Sequence, residues 1–454
     1  MDYKQVVEYI YNLERFGMKL GLHNIRYLLE RMGHPERSYK VIHIAGTNGK
    51  GSTAALVYSI LRAAGYSTAL YTSPHLIDFR ERFVVNGRQI PKAEIMSIFK
   101  QMRPILEEMG RPDSENNHPT FFEMTTALGL QFFANKKVDF AVIEVGLGGR
   151  LDATNAIETP IASAIVTISK EHTQVLGDTE EMIAFEKAGI IKKGAPVVVG
   201  VPRDKQAGAF GVLEKLARER GAPLITAGTY PEADIRFDVS SDTAKGLVAD
   251  YHVKDRELAG VKVPLVGTHQ ALNAAMAIGL IESIKMKEPQ FAGKLTDEII
   301  KDGLKKAKWP GRLELRKVRG REMLFDAAHN PEAFRSFLAA LDRYFTTTSK
   351  ILIFAVMRDK NHKAWLPDMV PRFRKIIIMK PKNPRSQEPQ QIRDDILALN
   401  LKPAEDILVK EGVKDAVEAA FALAQEGELV CNAGSIFCIG EVMEYLKNYK
   451  PQGH

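Results

Sequence analysis

The chain has 454 residues, which is too long for one ordinary domain and predicts two or three. Its apolar content of 45% supports large buried cores, and its net charge of +7, spread over scattered basic residues, favours an anionic small-molecule substrate over nucleic acid. Two cysteines cannot form a disulfide framework and indicate free thiols in a reducing, cytoplasmic compartment. We expect neither a signal peptide nor a membrane span, because the first 20 residues are charged throughout and long apolar runs are missing.

The N-terminal part of the chain leads to a glycine-rich loop at 46–52. Residues 2–33 are predicted to be helical, with a glycine-punctuated break at 16–22. An apolar strand at 39–45 then precedes the loop, and a helix is predicted at 53–64. A strand, a glycine loop and a helix together hold polyphosphates, because backbone N–H groups and the helix dipole face the phosphates.

Within this loop, Lys50 can reach between the outer phosphates and Ser52 can bind Mg²⁺ or a phosphate oxygen. The loop differs from the general P-loop pattern, since Ile44 occupies a glycine position and Gly51 separates Lys50 from Ser52. A simple glycine turn is the alternative interpretation.

Strands and helices alternate over the rest of the chain, which predicts an α/β fold. The predicted elements are strand 67–72, helix 92–109, helix 120–135, strands 138–145 and 161–168, helix 180–191, strand 196–201, short extended pieces over 223–266, helix 269–284, strands 323–325, 351–356, 376–379 and 429–433, and helix 416–425. We therefore predict an N-terminal P-loop domain with a doubly wound, mostly parallel sheet over 1–300. A smaller, Rossmann-like α/β domain is predicted over 310–454.

Several polar residues follow the buried strands of the first domain, where open α/β sheets bind ligands. Glu144 ends a strand and can hold the Mg²⁺ that bridges nucleotide phosphates, although a loop-fixing carboxylate is the alternative. His172 is either a metal ligand or a loop histidine. Lys187, interpreted on its own, is a salt-bridged helix lysine.

Three residues near the start of the second domain are also candidates. Asp326 and His329 follow its first apolar strand and lie near a strand-end crevice. A helix-capping aspartate and a solvated loop histidine are the alternatives. Arg312 stands at the domain junction, where it either reaches a nucleotide on the other domain or forms a structural salt bridge.

A set of motifs spanning about residues 16–440 resembles the folylpolyglutamate synthase/dihydrofolate synthase family of the Mur ligase superfamily. The motifs are GTNGKGS at 46–52, SPHL at 73–76, TFFE at 120–123, EVGLGGRLDATN at 144–155, EKAGIIK at 186–192, HQALNAAMA at 269–277, PGRLE at 310–314 and DAAHNP at 326–331. Two positions depart from the family pattern: Glu171 stands where an aspartate is expected before His172, and Ala327 replaces a common glycine.

The resemblance implies an ATP-dependent amide ligase. ATP would phosphorylate a carboxylate of a pterin-bearing substrate to give an acyl phosphate and ADP. The amino group of L-glutamate would then displace phosphate. This order makes chemical sense, because a carboxylate is a poor electrophile until one oxygen becomes a good leaving group. The acyl phosphate must also be shielded from water, which a cleft between two closing domains provides.

The resemblance also implies roles for individual residues. Lys50, Lys187 and His329 are the expected catalytic residues, and Lys187 is expected to be carbamylated, which would make it an anionic ligand favouring a second Mg²⁺. The other implied assignments are phosphate binding by Thr47, Asn48, Gly49, Lys50, Gly51 and Ser52, metal binding by Ser73, Glu144 and His172, nucleotide contacts by Asn273, Arg312 and Asp326, glutamate binding by His329 and Ser435, and pterin binding by Met18, Lys19, Leu20, Thr120, Phe121, Phe122 and Glu123.

The preferred hypothesis is a bifunctional dihydrofolate and folylpolyglutamate synthase that uses ATP and two Mg²⁺ ions. An enzyme with only the polyglutamate activity is the nearest alternative, and a cell-wall Mur ligase is a more distant one. A nucleotide-binding regulator without ligase activity is the alternative from another class. We expect a monomer that acts on small molecules and has no nucleic-acid or membrane partner.

Overall fold

The computed structural model describes residues 1–17, 21–111 and 118–448. Within these residues the strands form two sheets, one of eleven strands and one of six. The larger sheet with its helices is called the first lobe, and the smaller sheet with its helices is called the second lobe. The predicted α/β fold with a large, mostly parallel sheet and a smaller second sheet is confirmed.

The sheet of the first lobe has seven parallel strands at its centre and antiparallel strands at both edges. Its strands are β1 (Lys40–Ala45), β2 (Thr68–Tyr71), β3 (Phe83–Val85), β4 (Arg88–Gln89), β5 (Phe140–Glu144), β6 (Ala162–Ile165), β7 (Val197–Val199), β8 (Leu224–Gly228), β9 (Ile235–Thr243), β10 (Gly246–Val253) and β11 (Arg256–Val263). Their spatial order is β11-β10-β9-β8-β7-β6-β1-β5-β2-β3-β4. The carboxyl ends of β1, β5, β6 and β2 therefore meet at one edge.

Helices cover the first sheet. They are α1 (Tyr3–Asn12), α2 (His23–Arg31), α3 (Lys50–Ala63), α4 (Lys92–Met109), α5 (Phe121–Asn135), α6 (Thr173–Leu176), α7 (Glu180–Ala188), α8 (Ala207–Glu219), α9 (His269–Lys287) and α10 (Asp297–Lys306). Helix α9 is buried along most of its length and packs with α3 against the sheet, which explains why its sequence is rich in alanine and isoleucine. Helix α10 crosses the predicted boundary at 300 and packs on α3, where Ser59 donates a hydrogen bond to the carbonyl of Gly303.

The second lobe begins after α10. Its strands are β12 (Glu314–Val318), β13 (Arg321–Asp326), β14 (Lys350–Phe354), β15 (Lys375–Met379), β16 (Ile407–Lys410) and β17 (Leu429–Ala433), and its helices are α11 (Pro331–Tyr344), α12 (Leu366–Met369), α13 (Pro389–Leu397), α14 (Val413–Leu423) and α15 (Ile436–Asn448). The strand order is β12-β13-β17-β14-β15-β16, and β12 alone runs antiparallel to its neighbour. Cys431 and Cys438 are free and buried in this lobe.

The structure differs from the sequence-based elements mainly at boundaries. Helix α3 begins at Lys50 rather than at residue 53, so the lysine of the glycine loop lies in the first helical turn. The extended pieces predicted over 223–266 are four strands, three of which form an antiparallel meander. The predicted pterin segment Met18, Lys19 and Leu20 lies outside the described residues. In the part of the chain that the structure describes, every helix is too short or too polar to cross a bilayer.

Candidate active site

A cavity of about 280 Å³ lies where the carboxyl ends of the first sheet face the second lobe. Fourteen of the predicted site residues line it: Thr47, Asn48, Gly49, Lys50, Gly51, Ser52, Ser73, Glu144, His172, Lys187, Asn273, Arg312, Asp326 and His329. Residues far apart in the sequence, contributed by two lobes, are thus brought to one space.

The glycine loop forms the floor of this cavity. Gly49 precedes helix α3 with a φ of +83°, and an added Cβ would lie 2.4 Å from Oδ1 of Asn273, so both conformation and space require glycine. The Nζ atom of Lys50 donates hydrogen bonds to the carbonyls of Gly46 and Thr47, each at 3.0 Å. The segment that follows β6 also holds the loop, because the N–H of Thr47 donates to the carbonyl of Thr167 at 2.8 Å.

Glu144 and Ser73 form one wall. Glu144 is the last residue of β5, and its Oε2 accepts a hydrogen bond from the backbone N–H of Ser73 at 3.1 Å. Among the described residues, its Oε1 has no hydrogen-bond donor. Burial raises the pKa of Glu144, while the charges of Lys50 and Arg312 oppose this. A carboxylate with one free oxygen, buried beside a phosphate-binding loop, fits a cation ligand.

His172 and Glu171 lie on the opposite side. His172 adopts a left-handed conformation (φ +53°) just before α6 and borders the cavity. Burial lowers its pKa, which favours a neutral imidazole. The carboxylate of Glu171 lies 3.6 Å from Nε2 of His172 and 3.5 Å from Nε2 of His329. In the described part of the chain, no cluster of three or more His, Cys, Asp or Glu side chains is arranged to hold a metal by itself.

Lys187 reaches the cavity from helix α7. Its side chain is almost fully buried, with 4% of the residue exposed. Burial, reinforced by the charge of Lys50, lowers its pKa to about 7. Its Nζ makes no hydrogen bond or close ion pair with any described residue, so the salt-bridged lysine suggested by the sequence alone is not what the structure shows. A large fraction of this amine is therefore neutral near physiological pH.

The second lobe supplies the facing wall through Arg312, Asp326 and His329. Asp326 is buried, and its two carboxylate oxygens accept the backbone N–H groups of Leu313 and Ala328 at 2.8 and 2.9 Å. Nδ1 of His329 lies 2.8 Å from the carbonyl of Ala327, so Nδ1 carries the proton and Nε2 points away from that contact. Asp326 therefore fixes the loop that carries Arg312, in addition to bordering the cavity.

Hydrogen bonds between side chains of the two lobes lie beside the glycine loop. Nδ2 of Asn48 donates to Glu332 at 2.6 Å, and Nδ2 of Asn330 donates to Oδ1 of Asn48 at 3.1 Å. Lys360 donates to Glu171 at 2.9 Å. Sequence reasoning missed Glu332 and Lys360. Glu332 directly follows the quoted DAAHNP motif, whereas no pattern in the sequence pointed to Lys360.

The remaining predicted residues lie elsewhere. Thr120 and Glu123 form a capping box at the start of α5, with the N–H of each bonded to the side chain of the other. Phe121 and Phe122 are half-buried, and the ring of Phe122 packs against Gly146, next to the cavity. Ser435 is buried outside the cavity, where its hydroxyl accepts the N–H of Phe437 at the start of α15. Its assignment to glutamate binding stays a prediction.

Comparisons with known proteins support a family assignment. The Mur ligase middle domain matches residues 44–281, and the Mur ligase, glutamate ligase domain matches residues 311–436. The chain is 33% identical over 449 residues to the dihydrofolate synthase/folylpolyglutamate synthase of Bacillus subtilis, covering 98% of this chain and 99% of that protein.

Two further matches extend this similarity. A probable bifunctional folylpolyglutamate synthase/dihydropteroate synthase of Haloferax volcanii is 35% identical over 446 residues; the match covers 97% of this chain but spans only 50% of that protein. Escherichia coli FolC in complex with DHPP and ADP superposes with a TM-score of 0.83 at 26% identity, covering 97% of each chain. The chain therefore belongs to the folylpolyglutamate synthase/dihydrofolate synthase family of the Mur ligase superfamily.

Proposed function

We propose that this protein is an ATP-dependent ligase that joins L-glutamate to dihydropteroate, to reduced folates, or to both. The observation that carries the proposal is the single cavity in which Lys50 of the glycine loop faces Arg312, Asp326 and His329 of the second lobe. A phosphate-binding loop opposed by a second set of polar groups suits transfer of a phosphoryl group followed by attack of an amine.

The residues of the chain would act mainly by positioning and charge. The loop N–H groups and Lys50 would neutralise the phosphates of ATP as its terminal phosphoryl group passes to the carboxylate of the acceptor. His329, whose Nε2 lies toward the first lobe, would help to hold the incoming glutamate or accept its ammonium proton. The contacts between the lobes would exclude water from the acyl phosphate before the amine displaces phosphate.

The donor set near the loop fits Mg²⁺. Ser73, Glu144 and His172 would hold the ion together with nucleotide phosphates, as Mg²⁺ usually binds one or two carboxylates plus phosphate oxygens. When bound, the ion would neutralise phosphate charge and orient the transferred group. The free oxygen of Glu144 and the neutral state favoured for His172 support this assignment.

Carbamylation of Lys187 is part of the proposal. CO₂ reacts with a neutral amine, and burial keeps much of Lys187 neutral near pH 7. The resulting carbamate would be anionic, which suits a position next to Lys50 and the proposed Mg²⁺. It would supply an oxygen ligand for a second ion.

The pterin ring is proposed to bind beside α5. Phe122 offers an aromatic face next to the glycine-rich segment that begins at Gly146, and the capping box of Thr120 and Glu123 fixes the start of the helix that presents it. Met18, Lys19 and Leu20 remain predicted members of the same site. The monomeric state and the cytoplasmic location also stay predictions.

One assay separates the candidate functions. Purified protein with ATP, Mg²⁺ and L-glutamate should release phosphate only when dihydropteroate or a reduced folate is added. Phosphate release with a reduced folate but not with dihydropteroate would restrict the enzyme to polyglutamate synthesis. Release with a UDP-sugar peptide would instead assign it to cell-wall synthesis, and no release with any acceptor would favour a nucleotide-binding regulator.

A further inference from the structure

A charged side chain that the site described above does not use lies in contact with the SPHL loop. Arg82 ends a short 3₁₀ helix over Phe79–Arg82 and is only 6% exposed. An arginine stays protonated in proteins, so this is a buried positive charge. Such a charge is normally paired, because leaving it alone in a low-dielectric environment is unfavourable.

The neighbouring carboxylates are already engaged. Asp78 forms an ion pair with Arg80 at 2.6 Å. Glu81 accepts the backbone N–H groups of Leu76, Ile77 and Asp78. Glu14 and Glu144 act on Arg82 only through longer-range charge. Among the described residues, no carboxylate lies within 4 Å of the Arg82 guanidinium.

The one hydrogen bond that the Arg82 side chain donates to the described residues fixes its orientation. Its Nε donates to Nδ1 of His75 at 2.9 Å, so Nδ1 must be an acceptor and Nε2 carries the proton. Nε2 of His75 lies 3.2 Å from the hydroxyl of Tyr11. Because Nδ1 accepts this hydrogen bond, the imidazole is in its neutral form and does not supply a second positive charge. The two terminal nitrogens of Arg82 are left without an acceptor in the described part of the chain.

These nitrogens lie at an aromatic surface that borders the predicted pterin segment. The guanidinium carbon is 5.2 Å from the ring centre of Phe121, and Tyr11 stacks on the same ring at 5.3 Å. The SPHL loop links this cluster to the cavity, because Ser73 lines the cavity and His75 holds Arg82. The free edge between the two terminal nitrogens of a guanidinium matches the geometry of a carboxylate.

The two acceptors proposed above differ in the number of carboxylates that Arg82 can bind. Dihydropteroate has a single carboxylate, and that carboxylate is the group to be activated. A folate ends in a glutamyl residue with two carboxylates, of which one is activated and the other stays ionised throughout the reaction. We propose that Arg82 binds this second, unreactive carboxylate and thereby favours folates over dihydropteroate as acceptors. This proposal rests on the function proposed above.

Equilibrium binding of pteroate and pteroylglutamate to the full chain, in the presence of a non-hydrolysable ATP analogue, tests the proposal without requiring turnover. Arg82→Met should weaken pteroylglutamate binding by about tenfold or more, because a charge-assisted hydrogen bond is lost, and should change pteroate binding by less than about twofold. Arg82→Lys keeps the charge but loses the paired N–H groups, so its affinity for pteroylglutamate should lie between those of wild type and Arg82→Met. Arg88→Met, at an exposed arginine on strand β4, is the matched control and should bind both ligands normally.

Binding of two monoamides of pteroylglutamate, each with one carboxylate neutralised, completes the test. If Arg82→Met fails to fold, these two ligands can still be compared on the wild-type chain. One of them should bind wild type about tenfold more weakly than pteroylglutamate, and should bind Arg82→Met with no further loss. Equal weakening of pteroate and pteroylglutamate in Arg82→Met would overturn the proposal, as would wild-type binding of both monoamides that equals that of pteroylglutamate. Wild-type protein that binds neither pteroate nor pteroylglutamate would instead contradict the proposed function itself.

Discussion

Nζ of Lys360 in the second lobe lies 2.9 Å from Oε1 of Glu171 in the first lobe, and each side chain is only 13% exposed. Lys360→Met would leave Glu171 without its closest cation. We expect a loss of about 2 kcal/mol in the free energy of unfolding, below the range for a completely buried pair because some solvent remains. A fall in kcat/KM of about tenfold should accompany it, because the second lobe would no longer be held in register.

Thermal unfolding and steady-state kinetics measure both effects of Lys360→Met. Arg103→Met, which breaks the exposed pair between Arg103 and Glu107, is the control and should change stability by less than about 1 kcal/mol. Unchanged kinetics in Lys360→Met would show that the ion pair does not position the second lobe.

The same pair predicts a dependence of stability on pH. Burial alone would raise the pKa of Glu171, but its close contacts with His329 and with the charge of Lys360 outweigh this effect and hold the pKa well below the usual 4.5. A depressed carboxyl pKa gives stability that is present above the unfolded pKa and is lost as the pH falls through the folded value. We therefore expect wild type to lose stability below about pH 4.5 more steeply than Glu171→Gln does. Parallel curves of melting temperature against pH would contradict this.

Glu144→Gln should lower the activity of the protein without lowering its stability. The pKa of Glu144 is raised, chiefly by burial, so its ionised form weakens the fold above that pKa, and this penalty disappears as the pH falls. The amide oxygen of glutamine can still accept the N–H of Ser73. We expect a melting temperature at pH 7.5 equal to or above that of wild type, with activity reduced by about a hundredfold and a higher Mg²⁺ requirement. Magnesium titrations of activity provide the measurement, and wild-type Mg²⁺ dependence in this variant would exclude Glu144 as a ligand.

Lys187→Ala should abolish turnover if the proposed carbamate is required. Short carboxylic acids, which resemble the carbamate, should restore part of the activity when added to this variant. Lys193→Ala, at an exposed lysine shortly after the same helix, should behave as wild type. In wild type, ¹³C-labelled CO₂ should give a carbamate signal by NMR that Lys187→Ala lacks. Near-normal activity of Lys187→Ala would remove the carbamate proposal.

Gly440→Ala tests the contact between helix α15 and the SPHL loop. A Cβ at Gly440 would lie 1.8 Å from the carbonyl oxygen of Leu76, so the backbones of α15 and the SPHL loop would have to shift apart. We expect a loss of about 2 kcal/mol in stability and a raised KM for the acceptor, because Ser73 and His75 belong to the same loop. Gly412→Ala, where no atom lies within 4 Å of the added Cβ, is the control. Equal kinetics in the two variants would show that this contact does not reach the site.

The sequence predicted the local elements better than the contacts between distant segments. Helix α4, strand β17 and the strand before the glycine loop agree closely with their predicted ranges because their hydrophobic periods are regular. The sequence motifs predicted that Lys50, Glu144 and Asp326 share one site, and all three side chains line the same cavity. The contact of Lys360 with Glu171 could not be predicted, since the residues are 189 positions apart and neither belongs to a pattern with a known partner. Ser435 is buried outside the cavity, and its assignment to glutamate binding stays a prediction.

Placing the cavity walls on two lobes has a kinetic consequence. Asn48, Glu332, Glu171 and Lys360 join the lobes directly above the glycine loop. In the proposed reaction these bonds would lie over the bound nucleotide, so we expect them to break and re-form as ADP leaves and ATP enters. Much stronger bonds would slow release of the product, whereas weaker ones would admit water to the proposed acyl phosphate, so we expect the strength of these contacts to affect kcat.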